Sequence, residues 1–227
     1  MRCLRTAAAA SVLVGCSAVV NPPGYDALAR SRGVVLARAS ILEQTGDART
    51  SLWKLPDGRR LSVRVLRRRV QPSPLLFSAD LELVVSWLSP HTGPKAITCT
   101  TEPEGPDAPE TRFGCRSQGD PATTFWIAPG LDCPARPGAY IETLRTPACW
   151  NGRLAMPPAR YSLEHAHLTG GRVAPQILWS DATHHPRLAA RFHTGSTIEL
   201  FGMGKRDDVL VLHTLALGIW QEATGTW

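Results

Sequence analysis

What this 227-residue chain lacks narrows its class. Near its start the apolar run of residues 6–14 is well short of the roughly 20 residues that a membrane-spanning helix requires. Charged side chains are scarce, at 19% against 43% hydrophobic, a balance that excludes a charge-rich disordered polymer and permits a sizeable core. No segment recurs with a period of roughly 20–50 residues, so a repeat architecture is excluded. The Gly-x-Ser-x-Gly elbow of α/β hydrolases is missing. Phe201-Gly202-Met203-Gly204-Lys205-Arg206 stops short of the full Gly-x-x-x-x-Gly-Lys-Ser/Thr phosphate loop and reads as a glycine-softened connection.

Helical signals are also few. Residues 26–39 offer one short helix, interrupted by Gly33, and residues 34–42 read equally well as a first strand. Period-two alternation dominates elsewhere. From Phe77 to Trp87 the odd positions are apolar and the even ones mostly polar, so a strand would bury Phe77, Leu81, Leu83, Val85 and Trp87 on one face. Residues 51–55 and 61–66 flank Pro56-Asp57-Gly58, the turn chemistry of a hairpin. A second hairpin is expected from residues 188–192 and 197–201 about His193-Thr194-Gly195-Ser196, and residues 209–217 read as one more apolar strand. These signals predict an all-β or β-rich α+β domain, an antiparallel sandwich or barrel, over residues 26–227, with a loop-rich, cysteine-containing segment at 90–155.

The N-terminus carries the most specific pattern. Arg2 and Arg5 precede the apolar run, which ends in Leu13-Val14-Gly15-Cys16. A positive region, an apolar core and a small-residue cleavage site in that order make a secretory signal. Leu13-Val14-Gly15-Cys16 resembles the lipobox of bacterial lipoproteins. That resemblance implies cleavage after residue 15, acylation of Cys16 with palmitate-like chains, and anchorage to a cell-envelope membrane through residues 16–25, a tether containing Asn21-Pro22-Pro23-Gly24. Ser17, which stands where an aspartate would otherwise retain the protein, implies the outer membrane facing the periplasm in a Gram-negative cell. A formal charge of +6, two units of it on Arg2 and Arg5, is ordinary for an exported protein, and nucleic acid is not an expected partner.

Export places the remaining cysteines, Cys99, Cys115, Cys133 and Cys149, where thiols oxidise. Four cysteines permit three pairings. The local one, Cys99–Cys115 with Cys133–Cys149, closes two loops of about 15 residues, each contributing roughly 3 kcal/mol in the chain-entropy picture. Between the first two, the Pro- and Glu-rich residues 102–109 read as an exposed, stapled loop. Zinc is the rival, but no two cysteines show the spacing of about two to four residues that tetrahedral sites favour.

Chemistry is harder to place. Six of the seven histidines fall between His165 and His213. His165 and His167 would share one face of a strand, and with His184 and His185 they form the candidate set for a zinc or other divalent ion, the basis of an alternative reading as a metal-assisted periplasmic hydrolase. Otherwise no cofactor is implied. Trp126 and Trp150, with Trp179 and Trp220, are candidates for a ligand groove. Arg67, Arg68 and Arg69 are candidates for contact with anionic headgroups or an acidic partner. Without a catalytic set, the leading expectation is a binding, inhibitor or immunity, or accessory module of the envelope, recognising a protein or glycan.

Overall fold

The computed structural model describes residues 18–45, 48–68, 80–88, 96–103, 111–129, 150–165, 167–169, 176–193, 196–204 and 207–224. Alternating sequence yields strands throughout: β1 (Ala18–Val20), β2 (Val34–Thr45), β3 (Ala48–Lys54), β4 (Arg60–Arg68), β5 (Asp80–Trp87), β6 (Ala96–Pro103), β7 (Thr111–Ser117), β8 (Asp120–Pro129), β9 (Trp150–Met156), β10 (Ala159–His165), β11 (His167–Thr169), β12 (Gln176–Asp181), β13 (Pro186–His193) and β14 (Thr197–Phe201). Two helices complete the described elements, α1 (Tyr25–Ala29) and α2 (Asp208–Thr224).

Twelve of these strands form one closed antiparallel barrel in the order β10-β12-β13-β14-β2-β3-β4-β5-β6-β7-β8-β9. Most neighbours are consecutive in sequence. The seam between β14 and β2 is long-range, pairing Thr197 with Ala37 and Ile198 with Leu36. Both expected hairpins are present. At the first, Gly58 takes φ +89, the left-handed conformation that the turn between β3 and β4 requires. The predicted alternation of β5 also holds, with Leu81, Leu83, Val85 and Trp87 all buried; Phe77 lies outside the described residues.

The barrel has an apolar inside and a polar outside. Inward positions contribute Leu36, Trp53, Leu83, Phe113, Phe125, Leu163 and Trp179 to one core. Outward positions expose Arg60, Arg64, Arg116, Arg153 and Arg160. That distribution reverses the one used by transmembrane barrels, whose outer band is apolar and whose lumen is polar. A smaller cluster, Tyr25, Leu178, Ala189 and Phe201, forms where α1 packs on the outer face of β12–β14. Ahead of α1, in the stretch expected to be a tether, Ala18–Val20 pairs as β1 with β11.

An eight-stranded barrel is filled by its own side chains, whereas twelve strands enclose a wider space. Here α2 fills it. Every residue from Asp207 to Gln221 is buried, and the helix shares one core with the inward side chains of the wall. This corrects the expectation of a strand at residues 209–217. A helix surrounded on every side is apolar all round, so Val209-Leu210-Val211-Leu212 shows no 3.6-residue period and mimics a buried strand. Trp220 stacks on Phe113 with ring centres 4.9 Å apart, and Trp179 donates to the Thr214 hydroxyl at 2.9 Å. At Gly218 the wall approaches so closely that an added Cβ would lie 2.5 Å from the Phe192 ring.

Each end of α2 is clamped to the wall by an arginine resting on a tryptophan. At the N-terminal end Arg59 binds the Asp208 carboxylate, is held by Asp57 at 2.8 Å, and stands 5.5 Å from the Trp87 ring centre. Near the C-terminal end Arg38 binds Glu222 at 2.9 Å and stands 5.1 Å from the Trp53 ring centre. Asp207 and Asp208 also place negative charge at the helix N-terminus, where the macrodipole favours it.

Of the loop expected at residues 102–109, residues 104–109 lie outside the described residues, but the two cysteines flanking it are placed. Cys99 and Cys115 sit directly opposite each other on β6 and β7, disulfide-bonded and buried against the lumen. The bond therefore joins two adjacent staves from the inside. Cys133 and Cys149 lie outside the described residues, as does Cys16.

Candidate functional site

The histidines do not assemble into one site. His165 ends β10, paired with Ile177, while His167 is in β11, paired with Val20 in the separate two-stranded sheet. The shared strand face expected for them is thus replaced by two different sheets. His184 and His185 lie beyond Asp181, at the other end of β12 from Ile177, about 13 Å along the strand.

Those two histidines belong to a turn. Asp181 accepts hydrogen bonds from the backbone N–H groups of Thr183 at 3.0 Å and His185 at 3.1 Å, and from the Thr183 hydroxyl at 2.6 Å. The Thr183 hydroxyl has one proton, given to Asp181, so His185 Nδ1 is the donor in its 2.8 Å contact with Thr183 Oγ1. This set, the Thr183 hydroxyl first, holds the Asp181 carboxyl below its usual range. His184 occupies the left-handed region at φ 61, a conformation histidine accepts more readily than most residues. His193 lies outside on β13, 3.5 Å from Glu199. Among the described residues, no three His, Cys, Asp or Glu side chains converge as a metal site.

His213 is the exception in kind. It lies on α2 in the middle of the lumen, fully buried, with Nδ1 donating to the Val209 carbonyl at 2.8 Å and its ring edge-on to Phe125. A carbonyl only accepts, so Nε2 is the unprotonated nitrogen, and it has no hydrogen-bond partner. Desolvation by the apolar core lowers its pKa to about 4. The ring is neutral at pH 7 and far from solvent, an arrangement that suits packing and offers no substrate access.

The tryptophans divide between the two faces of the wall. Trp179 and Trp220 are buried in the lumen core, as are Trp53 and Trp87. Trp126 instead faces outward from β8, 41% exposed. Trp150 begins β9, and Arg67 and Arg68 end β4; their side chains are outside the description, and Arg69 lies beyond the described residues.

Trp126 borders an open trough of about 390 Å³ on the outer wall, lined by Thr98 and Thr100 of β6, Gly114 and Arg116 of β7, and Thr124 and Trp126 of β8. Strand register explains its shape. Thr100, Gly114 and Trp126 form one outward row across three strands, continued on β9 by Arg153; Thr98, Arg116 and Thr124 form the next. The missing side chain at Gly114 leaves the depression between them. Arg116 and Arg153 form no ion pair among the described residues. Thr98 Oγ1 accepts from Gln118 at 2.9 Å, which leaves its own proton to donate.

Sequence reasoning named Trp126 but missed Gly114, Arg116 and Arg153. A signal was present: a lone glycine in the alternating strand Arg112-Phe113-Gly114-Cys115-Arg116 marks a bulge or a close approach. Comparison with known proteins returns no match at any of three levels, neither a protein-family model nor a curated protein nor a solved structure. The class is therefore the one the fold defines: a closed twelve-stranded antiparallel barrel with its own helix as the plug.

Proposed function

We propose that the protein is a lipid-anchored component of a bacterial cell envelope, acting as a binding module of the inhibitor, immunity or accessory kind, and presenting the outer wall of its barrel to an envelope partner. One observation carries the binding half of this reading: α2 occupies the lumen, leaving recognition to the outer wall. The polar, arginine-bearing outside agrees with a water-facing barrel held beside a membrane by acyl chains. More than one chain is needed for stable anchoring, each buried methylene contributing about 0.8 kcal/mol, and a lipobox cysteine receives two or three.

Two measurements test it. Cells expressing the full chain are fed labelled palmitate, and the Cys16→Ser variant is followed beside it. Incorporation at Cys16, and loss of membrane association in the variant, are expected. An unlabelled chain, or a variant located as the parent is, overturns the anchor. The detergent-purified full chain is then used to capture partners from envelope extracts, where a saturable partner displaced by excess untagged protein is expected. Absence of any such partner overturns the binding role.

A further inference from the structure

Glycine in the middle of a strand weakens it, by about 0.5–1 kcal/mol relative to alanine, and is ordinarily explained by backbone geometry or close packing. At Gly114 neither applies. Its φ is not in the left-handed region, and an added Cβ would meet nothing nearer than the Phe125 carbonyl oxygen at 3.4 Å, an ordinary contact. The contrast with Gly218, where the wall itself forbids a side chain, is direct. The remaining reason for a strand glycine is the close approach of something from outside.

The surroundings indicate what approaches. An indole 41% exposed flanks the glycine on one side, Thr98 and Thr124 line the trough, and the Arg116 guanidinium has no ion-pair partner among the described residues; Trp126 and Thr100 each already make an interaction of their own. The nearest acid in register, Glu82, lies across Thr100 from the trough and is engaged in an interaction of its own. An aromatic face attracts the weakly positive C–H face of a flat ring. Threonines donate and accept to neighbouring hydroxyls, and an arginine selects a carboxylate through charge-assisted hydrogen bonds. An extended peptide is disfavoured, because adding a strand needs an open sheet edge and a closed barrel has none. The volume falls in the lower part of the range for small-molecule sites, about 300–1,000 Å³.

We infer that the trough over Gly114 binds an acidic saccharide, its ring seated on the glycine beside Trp126 and its carboxylate held by Arg116. This rests on the reading of the outer wall as the recognition surface and names the ligand class for it; it does not depend on the acyl anchor.

The test is calorimetric titration of the detergent-purified full chain with a galacturonic acid trimer, with a neutral glucose trimer and a hexaglutamate peptide as controls. Saturable binding of the acidic trimer is expected, with the neutral trimer and the peptide each weaker by roughly tenfold or more, the scale of one charge-assisted hydrogen bond. Gly114→Thr fills the trough and is expected to abolish binding while leaving the melting temperature unchanged or raised, because threonine suits a strand better than glycine. Arg116→Gln should erase the preference for the acidic trimer over the neutral one. No binding of the acidic trimer, equal binding by Gly114→Thr, or tighter binding of the peptide overturns the assignment. Because the titration is done in solution, its failure is distinguishable from failure of the anchor or of partner capture.

Discussion

Trp179 of the wall donates its indole N–H to the hydroxyl of Thr214 on α2 at 2.9 Å, and both residues are fully buried. This contact fixes the rotation of a helix whose apolar surface would otherwise pack in several ways. Thr214→Val keeps the volume and removes the acceptor, leaving a buried donor unmade. A loss of about 1–3 kcal/mol is expected, read as a lower urea midpoint with an unchanged slope, and Thr214→Ser should restore most of it.

His213 gives the stability a pH dependence of known sign. Its pKa is about 4 in the folded chain and near the ordinary 6.5 when unfolded. Above that range both states are neutral and the group contributes no slope. As pH falls from 6.5 toward 4 the unfolded chain takes up the proton first, so folding stability declines, by up to about 3 kcal/mol in all. His213→Leu should remove this component. Urea titrations between pH 7 and 4 check it: the stability of the variant minus that of the parent should rise as pH falls through that window, and a constant difference would contradict the assignment.

The two arginine clamps are predicted to be unequal. Asp208 is 6% exposed and Glu222 is 40% exposed at the side chain. Removing Arg59 takes the bound cation from a buried carboxylate, at a cost of about 3 kcal/mol, whereas the pair at Arg38 is a near-surface one contributing up to about 1 kcal/mol. Chemical denaturation of Arg59→Gln and Arg38→Gln should rank them in that order, and added salt should weaken the Arg38 contribution more.

Gly218→Ala tests how tightly the wall grips the plug. In an exposed helix that change would stabilise by about 1 kcal/mol. Here the new methyl meets the Phe192 ring, so overpacking should reverse the sign, with a net loss of about 1–2 kcal/mol seen as a lower melting temperature.

Much of the wall was legible in the sequence because one of its faces is wet. Alternation in residues 80–87, and the turn residues Asp57-Gly58, report a two-sided environment directly. The plug was illegible for the opposite reason: with barrel wall on every side, Val209–Trp220 carries no polar face to mark its period. Of the local pairing, Cys99–Cys115 is seen and Cys133–Cys149 lies outside the described residues; the burial of the first pair is hard to read from sequence because a loop-like composition at residues 102–109 separates the two cysteines. The trough was partly visible. Trp126 was named for its type, whereas Gly114 became informative only once its backbone conformation and its empty surroundings were known.

The plug lies after the fourteen described strands in chain order, and it has a consequence for how the molecule comes into being. The staves emerge first, with their greasy sides committed to a centre that does not yet exist, and the seam joining β14 to β2 spans most of the polypeptide. Assembly must therefore wait for α2 and then happen all at once. A chain stopped before Asp208 should yield insoluble aggregates instead of a hollow shell.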